Sequence, residues 1–369
     1  MESKVSVCII SSPAVSHPST ILLDQVVSSL DLVTGLERAT VWVIFDGYAI
    51  RQTNETKRGK VTEELAANYV AYKEAVREKY GSAIPASRPF RFVECQEHVG
   101  FAFAVKTALE QCGTPYCLVC QQDRSFMADL PCTLQGLVAY LEISKSSRPA
   151  FAPVRYVGLP TSTSCNHDRV LAKQYGLTDV LGPALERIPE HLGGGTSASA
   201  SASASAPATS STPTREHAPP SDEKSVYVLS PLIFQYDSNH LAVVDEYLKI
   251  FRPYRHLPET LRKAIGLPNI KAMLLKKGDF IEDRFGQQER NMLAGKELSA
   301  DTKLEHFKWF GTFILLSSTG CTKPVVQHLR GRFFRPDPFR LRPASVPTPV
   351  VGLSLSSECT PENVFADVF

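Results

Sequence analysis

Apolar positions along the chain fall into short continuous runs separated by stretches with a helical repeat. Val5–Ile10 and Thr40–Phe45 are β-rich runs of the kind found in strands buried on both faces. Phe90–Glu94 and Tyr116–Cys120 read as two further strands. Between the first two runs, Ile21, Leu22, Val26, Val27 and Leu30 form one stripe after a Ser/Thr cap, which predicts a helix from Ser19. Further helices are predicted from about Thr62 to Tyr80, closed by Gly81, over Phe101–Cys112, and from about Leu130 to Ile143. Strand and helix alternate, so a parallel sheet with helices on both faces is expected. In such sheets ligands bind at the carboxyl ends of the strands, where Asp46 and Asp123 fall.

The pattern breaks at residues 193–222. Three glycines, a Ser-Ala repeat and several prolines there cannot bury a core face, so a disordered insertion is expected. Beyond it the pattern resumes. Val226–Leu229 reads as a strand, Asn239–Phe251 as a helix capped by Asp237 or Ser238, and a further helix lies near Pro258–Ile265. Gln287–Ala294 reads as a helix and Thr312–Leu316 as a strand. We expect residues 1–192 and 223–334 to be two parts of one domain, because a long loop adds little entropic cost. Residues 335–369, rich in Pro, Arg and Ser, read as an extended tail.

Composition narrows the classes. Of 369 residues, 43% are hydrophobic and 21% charged, as in a globular protein with a sizeable core. Forty Lys+Arg against 38 Asp+Glu leave a net charge of +2, too even for a dedicated nucleic-acid binder. Nine cysteines, several inside apolar runs, read as core thiols in a reducing compartment. Cys117 and Cys120 form a CxxC, but strand spacing sends them to opposite faces, so packing is the expected role. No apolar run approaches the length of a membrane span, and the first strand is too short for a secretory signal. The cytosol is the expected address.

Four segments together resemble the GT-A glycosyltransferases, specifically the inverting family 2-like group. The first is the opening strand with Val43-Ile44-Phe45-Asp46-Gly47-Tyr48, similar to the strand whose terminal acid contacts the nucleoside. The second runs from His98-Val99-Gly100 through Lys106 to Gln121-Gln122-Asp123, similar to the Gly-containing helix start and the strand bearing the DxD motif. The third is Phe280-Ile281-Glu282-Asp283, similar to the acidic pair that supplies the catalytic base. The fourth is Val325 to Arg332, similar to the segment whose histidine, here His328, completes the metal and diphosphate site. The likeness covers roughly residues 5–332.

The resemblance implies a GT-A-like three-layer α/β/α sandwich with a mainly parallel, mixed sheet. It implies transfer of a sugar from a nucleoside-diphosphate donor to an acceptor hydroxyl with inversion. Asp123 and His328 would hold Mn²⁺ or Mg²⁺, which stabilises the diphosphate as a Lewis acid. Asp283 or Glu282 would take the acceptor's proton. Asp46, Ser11, Gly100, Lys106, Gln121 and Arg332 would face the donor; Ser11 is placed there by topology alone, and Arg330 and Arg332 by the forked donors of a guanidinium. Two positions depart from the family: Gln121 stands where the first acid of DxD is usual, and an amide adds no charge; Lys106 stands where a polar uncharged residue is frequent.

Each residue has a plainer reading. Asp46-Gly47 is a common turn pair. Asp123 could cap a turn or pair with Arg124. Glu282 and Asp283 could complement the dipole of the following helix. His328, in a strand-like run, could be a core histidine, and Trp309 could pack in the core rather than stack on a sugar; His240 could face the acceptor. A nucleotidyltransferase would need a Gly-rich basic loop after the first strand, and Ser11–His17 contains no glycine, lysine or arginine. A degenerate, purely binding protein is the remaining alternative, kept open by Gln121.

Overall fold

A computed structural model describes residues 4–81, 88–147, 154–165, 167, 172, 186–188, 227–257, 259, 262–263, 266–294, 306–307, 309–317 and 323–329. The expected insertion at 193–222, the tail at 335–369, and Arg330 and Arg332 lie outside these residues.

Continuous apolar runs leave a strand no solvent face, and here they form the sheet's centre. The strands are β1 (Val5–Ser11), β2 (Val41–Phe45), β3 (Ala49–Ile50), β4 (Lys60–Val61), β5 (Phe90–Glu94), β6 (Tyr116–Gln121), β7 (Arg124–Phe126), β8 (Tyr156–Gly158), β9 (Glu186–Ile188), β10 (Tyr227–Pro231), β11 (His240–Val243), β12 (Thr312–Ser317) and β13 (Val326–His328). Nine of them make one sheet in the order β5-β2-β1-β6-β11-β8-β12-β10-β9. The first four are parallel. Following the pairings outward, only β11 and β10 run against the rest. Strands from before and after residues 193–222 alternate in this sheet.

Residue parity divides the core into two faces. Val5, Val7 and Ile9 of β1 and Tyr116, Leu118 and Cys120 of β6 face α1 (Ile21–Ser29), α2 (Glu63–Gly81) and α4 (Leu134–Ser147). Cys8, Ile10, Cys117 and Val119 face α3 (Gly100–Gln111) together with Tyr247, Ile250, Phe285 and Phe310. The handedness of crossovers explains the split. Successive steps from β1 to β2 to β5 move one way along the sheet, and the return to β6 moves the other way, so right-handed connections put α3 on the opposite face from α1 and α2. The result is the three-layer α/β/α arrangement, with a mixed sheet running mainly one way, that the sequence predicts. Cys117 and Cys120 lie on opposite faces, as strand packing requires.

Two predicted elements differ. The helix expected over Asn239–Phe251 begins as strand β11, and helix follows only at Val244–Tyr247, with a 3₁₀ turn at Leu248–Phe251. His240, Leu241, Ala242 and Val243 are buried on both faces, and a continuous apolar run does not distinguish a strand from a helix segment. The helix expected from Leu130 starts at Leu134, and the residues before it include β7, which pairs with β13 as a separate antiparallel ribbon.

Candidate active site

The sheet order reverses between β1 and β6, so the crevice at their carboxyl ends is the natural ligand position. Side chains from both strands close its floor. Ser11 Oγ donates to Gln122 Oε1 at 2.7 Å, and Gln122 Nε2 donates to the Ser12 carbonyl at 2.9 Å. Tyr69 Oη donates to the Ser11 carbonyl at 3.1 Å. Ser11 itself is fully buried, so its side chain is part of the floor. In that loop His17 stacks on Tyr72 with ring centroids 3.9 Å apart, and burial pushes its pKa down to about 3. It offers the crevice no cation.

Asp46 ends β2 and is 3% exposed. Its Oδ1 accepts the Val99 N–H at 2.8 Å and its Oδ2 the Gly100 N–H at 3.2 Å. A carboxylate thereby satisfies the first free amides of α3 and complements its dipole. His98 Nδ1 lies 2.8 Å from the same Oδ2, off the axis of a hydrogen bond. Both oxygens of Asp46 are thus occupied by the α3 start. Lys106, two turns along α3, pairs with Glu110.

The start of α3 also holds the loop that carries the acidic pair. Gly278 N–H donates to the Val99 carbonyl at 2.7 Å, and Ala102 N–H to the Asp279 carbonyl at 3.2 Å. The loop then enters a π-helical turn, Glu282–Gly286, which continues directly into the helix Gln287–Ala294. Such turns are frequent at functional sites. Asp283 is exposed, whereas Glu282 is half-buried.

Glu282 is fixed by a residue that sequence reasoning assigned elsewhere. Asp237 was expected to cap a helix at Asn239. It instead forms a reciprocal pair with Glu282: Glu282 N–H donates to Asp237 Oδ1 and Asp237 N–H to Glu282 Oε2, each at 3.2 Å. Gln121 Nε2 donates to the Asp237 carbonyl, and Asn239 Nδ2 to the Arg124 carbonyl at 3.1 Å. The end of β6 and the acidic turn are therefore one connected structure. Asp237-Ser238-Asn239 suits a turn as well as a helix cap, and no local signal decides between them.

Burial holds the carboxyls of Asp237 and Glu282 above the usual carboxylate range, and the Glu282 charge raises Asp237 further. The folded chain therefore binds more protons than the unfolded chain as pH rises from about 4, and the stability this pair contributes is lost as pH climbs through the folded values. Asp237→Asn keeps the Oδ1 acceptor and removes the titration. Its melting temperature should gain on that of the wild type as pH rises across this window; a difference independent of pH would refute the coupling.

Asp123 and His328, 205 residues apart in sequence, meet at the mouth of the crevice. Pairing of β13 with β7 brings His328 Nε2 to 3.0 Å from Asp123 Oδ2, and the Leu329 N–H donates to the Asp123 carbonyl at 2.8 Å. Both side chains are partly exposed. The described residues contain no group of three His, Cys, Asp or Glu side chains placed to hold a metal ion. His240 is a core histidine, stacked 4.4 Å from Tyr156 with its pKa lowered to about 4 by burial. Trp309 is buried, donates to the His256 carbonyl at 3.2 Å and carries Arg155 over its ring. No helix among the described residues is long and apolar enough to cross a membrane.

No family model and no curated protein sequence matches the chain. Among solved structures it is similar to TarS of S. aureus (residues 1–349; 12% identity, TM-score 0.25, 43% of this chain and 35% of that one). It is also similar to the mannosyltransferase PcManGT of Pyrobaculum calidifontis in complex with GDP-Man and Mn²⁺ (14% identity, TM-score 0.29, 49% and 41%). A third similar structure is a CMP:2-keto-3-deoxy-manno-octonic acid synthetase in complex with CTP (13% identity, TM-score 0.29, 73% and 86%). The chain thus spans less than half the length of the first two, and its likeness to all three is partial.

Proposed function

We propose that the chain transfers a sugar from a nucleoside diphosphate to an acceptor hydroxyl, with inversion. The observation that carries this reading is the meeting of Asp123 with His328 at the β1–β6 switch point, with the Glu282–Asp283 turn tied to the same strand end through Asp237 and Gln121. A leaving diphosphate needs positive charge at one end of the crevice, and an attacking hydroxyl needs a proton acceptor at the other. Asp283, on the exposed rim of the π-turn, is the base an acceptor hydroxyl can reach, and Glu282 holds the turn in place. The backbone of the Ser11–Ser12 loop borders the nucleotide, and Asp46 sets the position of α3 beneath it.

One carboxylate and one imidazole suit a divalent ion shared with substrate, so Asp123 and His328 would hold Mn²⁺ or Mg²⁺ together with diphosphate oxygens and water. When bound, the ion supplies Lewis-acid stabilisation of the leaving group. With Gln121 neutral, the chain's own ligands are few, and affinity for the ion depends on the donor.

Melting in the presence of UDP or GDP, with and without Mn²⁺, tests this directly, because a ligand of the folded state raises the melting temperature. At a hundred times Kd the stabilisation is about 2.7 kcal/mol. Asp123→Asn should abolish the Mn²⁺-dependent part of the shift. The transferase reading falls if no nucleoside diphosphate moves the wild-type transition.

A further inference from the structure

Arg124 follows Asp123 directly and opens β7. The antiparallel register sets it opposite His328, and Ser125 opposite Gln327. Directly opposed residues of such a ribbon send their side chains to the same face. The 3.1 Å hydrogen bond from Gln327 Nε2 to Ser125 Oγ shows that this holds here. Arg124 therefore leaves the ribbon on the same face as His328, whose ring meets Asp123. The hydrogen bond from Asn239 to its carbonyl fixes the backbone from which the side chain projects.

Arg124 is half-buried and poorly served. Its Nε is shielded from solvent and has no hydrogen-bond partner. An unpaired donor on a charged group costs folding energy, and the terminal nitrogens of the same guanidinium are the donors an incoming anion can reach. The Arg124 charge acts on Glu282, as does that of the exposed Lys57 on the neighbouring 3₁₀ turn Thr56–Arg58. The surroundings of Arg124 are thus the two ends of the proposed reaction: Asp123 and His328 on one side and the acidic turn on the other. Its planar fork of donors fits phosphate oxygens in pairs.

We propose that Arg124 binds the diphosphate of the donor, so that a guanidinium supplies the positive charge that a second metal-binding carboxylate would otherwise recruit as a cation. This rests on the transferase reading above. In Gln121-Gln122-Asp123-Arg124 the charged side chains sum to zero, so the turn accepts an anionic diphosphate without first neutralising a pair of acids. Donor binding then keeps a component that needs no divalent ion.

The test compares wild type, Arg124→Met and Arg124→Lys, each first melted alone to establish that it folds. Binding of UDP and GDP, the matching monophosphates and the nucleosides is measured by calorimetry in EDTA and in Mn²⁺. Wild type should bind a diphosphate in EDTA. Arg124→Met should weaken diphosphate binding by on the order of ten- to a hundredfold and leave the nucleoside unchanged. Arg124→Lys should recover part of the loss, as a charge without the fork. The inference is overturned if Arg124→Met binds the diphosphate within twofold of wild type, or loses nucleoside and diphosphate equally, while wild type binds normally. If wild type binds no nucleoside diphosphate in either medium, the transferase reading itself has failed and this inference with it.

Discussion

On the transferase reading proposed above, replacing Asp283 by Asn should leave donor binding intact and lower sugar transfer by roughly 10²–10⁴-fold, the usual contribution of a positioned general base. The side chain is exposed at the second position of the π-turn, where an acceptor can approach it. The substitution keeps volume and removes the negative charge, and with it the capacity to accept a proton. The loss should therefore appear in kcat, while the donor's dissociation constant stays within twofold. Glu282→Gln is the control. Its amide oxygen can still accept the Asp237 N–H, so transfer should fall less than tenfold if the role of Glu282 is to hold the turn. Steady-state transfer rates with calorimetric donor titrations decide the matter. An Asp283→Asn enzyme within threefold of wild type would remove Asp283 from the mechanism, and a large loss confined to Glu282→Gln would move the base by one residue.

The second large effect is on stability. Gly100 has φ +75° where α3 begins, and a Cβ placed there would lie 2.6 Å from the Gly278 Cα and 2.7 Å from its carbonyl carbon. The neighbouring backbone cannot simply retreat, since Gly278 N–H is bonded to the Val99 carbonyl and Gly100 N–H to Asp46. Left-handed backbone costs an L-residue about 1–2 kcal/mol, and overpacking adds about 1–3 kcal/mol. Gly100→Ala should thus destabilise by about 2–5 kcal/mol in urea titrations. Gly113 offers the comparison: its φ is +66°, but a Cβ there meets nothing within 4 Å. Gly113→Ala should cost only the backbone term. Equal losses in the two variants would show that the contact with Gly278 does not constrain α3. Because Gly278 lies four residues before Glu282, Gly100→Ala should also lower transfer through a displaced acidic turn.

How much of this was legible in the sequence depended on how local each feature is. β2, β5, α3, β6 and the helix Gln287–Ala294 start and stop within a residue or so of where their patterns predict. Buried parallel strands write themselves as unbroken apolar runs, and long helices repeat their stripe often enough to be read. The helix expected from about Thr62 starts at Glu63, with Thr62 Oγ1 accepting the Leu65 N–H at 3.4 Å. β7, three residues long, was not legible, because so short a strand is defined by its partner and not by its own residues. The same holds for the site. Asp123 and His328 were named from the order of motifs, but the strand pairing that joins them is long-range. That Asp46 spends both oxygens on α3, and that Asp237 grips Glu282, are facts about packing that no spacing along the chain encodes.

The interleaved sheet has a consequence for how the molecule comes into being. β1, β2, β5 and β6 are contiguous in the sheet and early in the chain, so they can pair as soon as they are made. β6 then waits for β11, and β8 waits for β12, across more than a hundred residues of synthesis. Until those strands arrive, their slots are unpaired edges, open to pairing with another chain. The last described strand is β13, which delivers His328 to Asp123. On this ordering the crevice gains its histidine only after the sheet is whole, so a partly folded chain lacks the Asp123–His328 contact. Pulse-labelling hydrogen exchange should show amides of β1 and β6 protected well before those of β12 and β13.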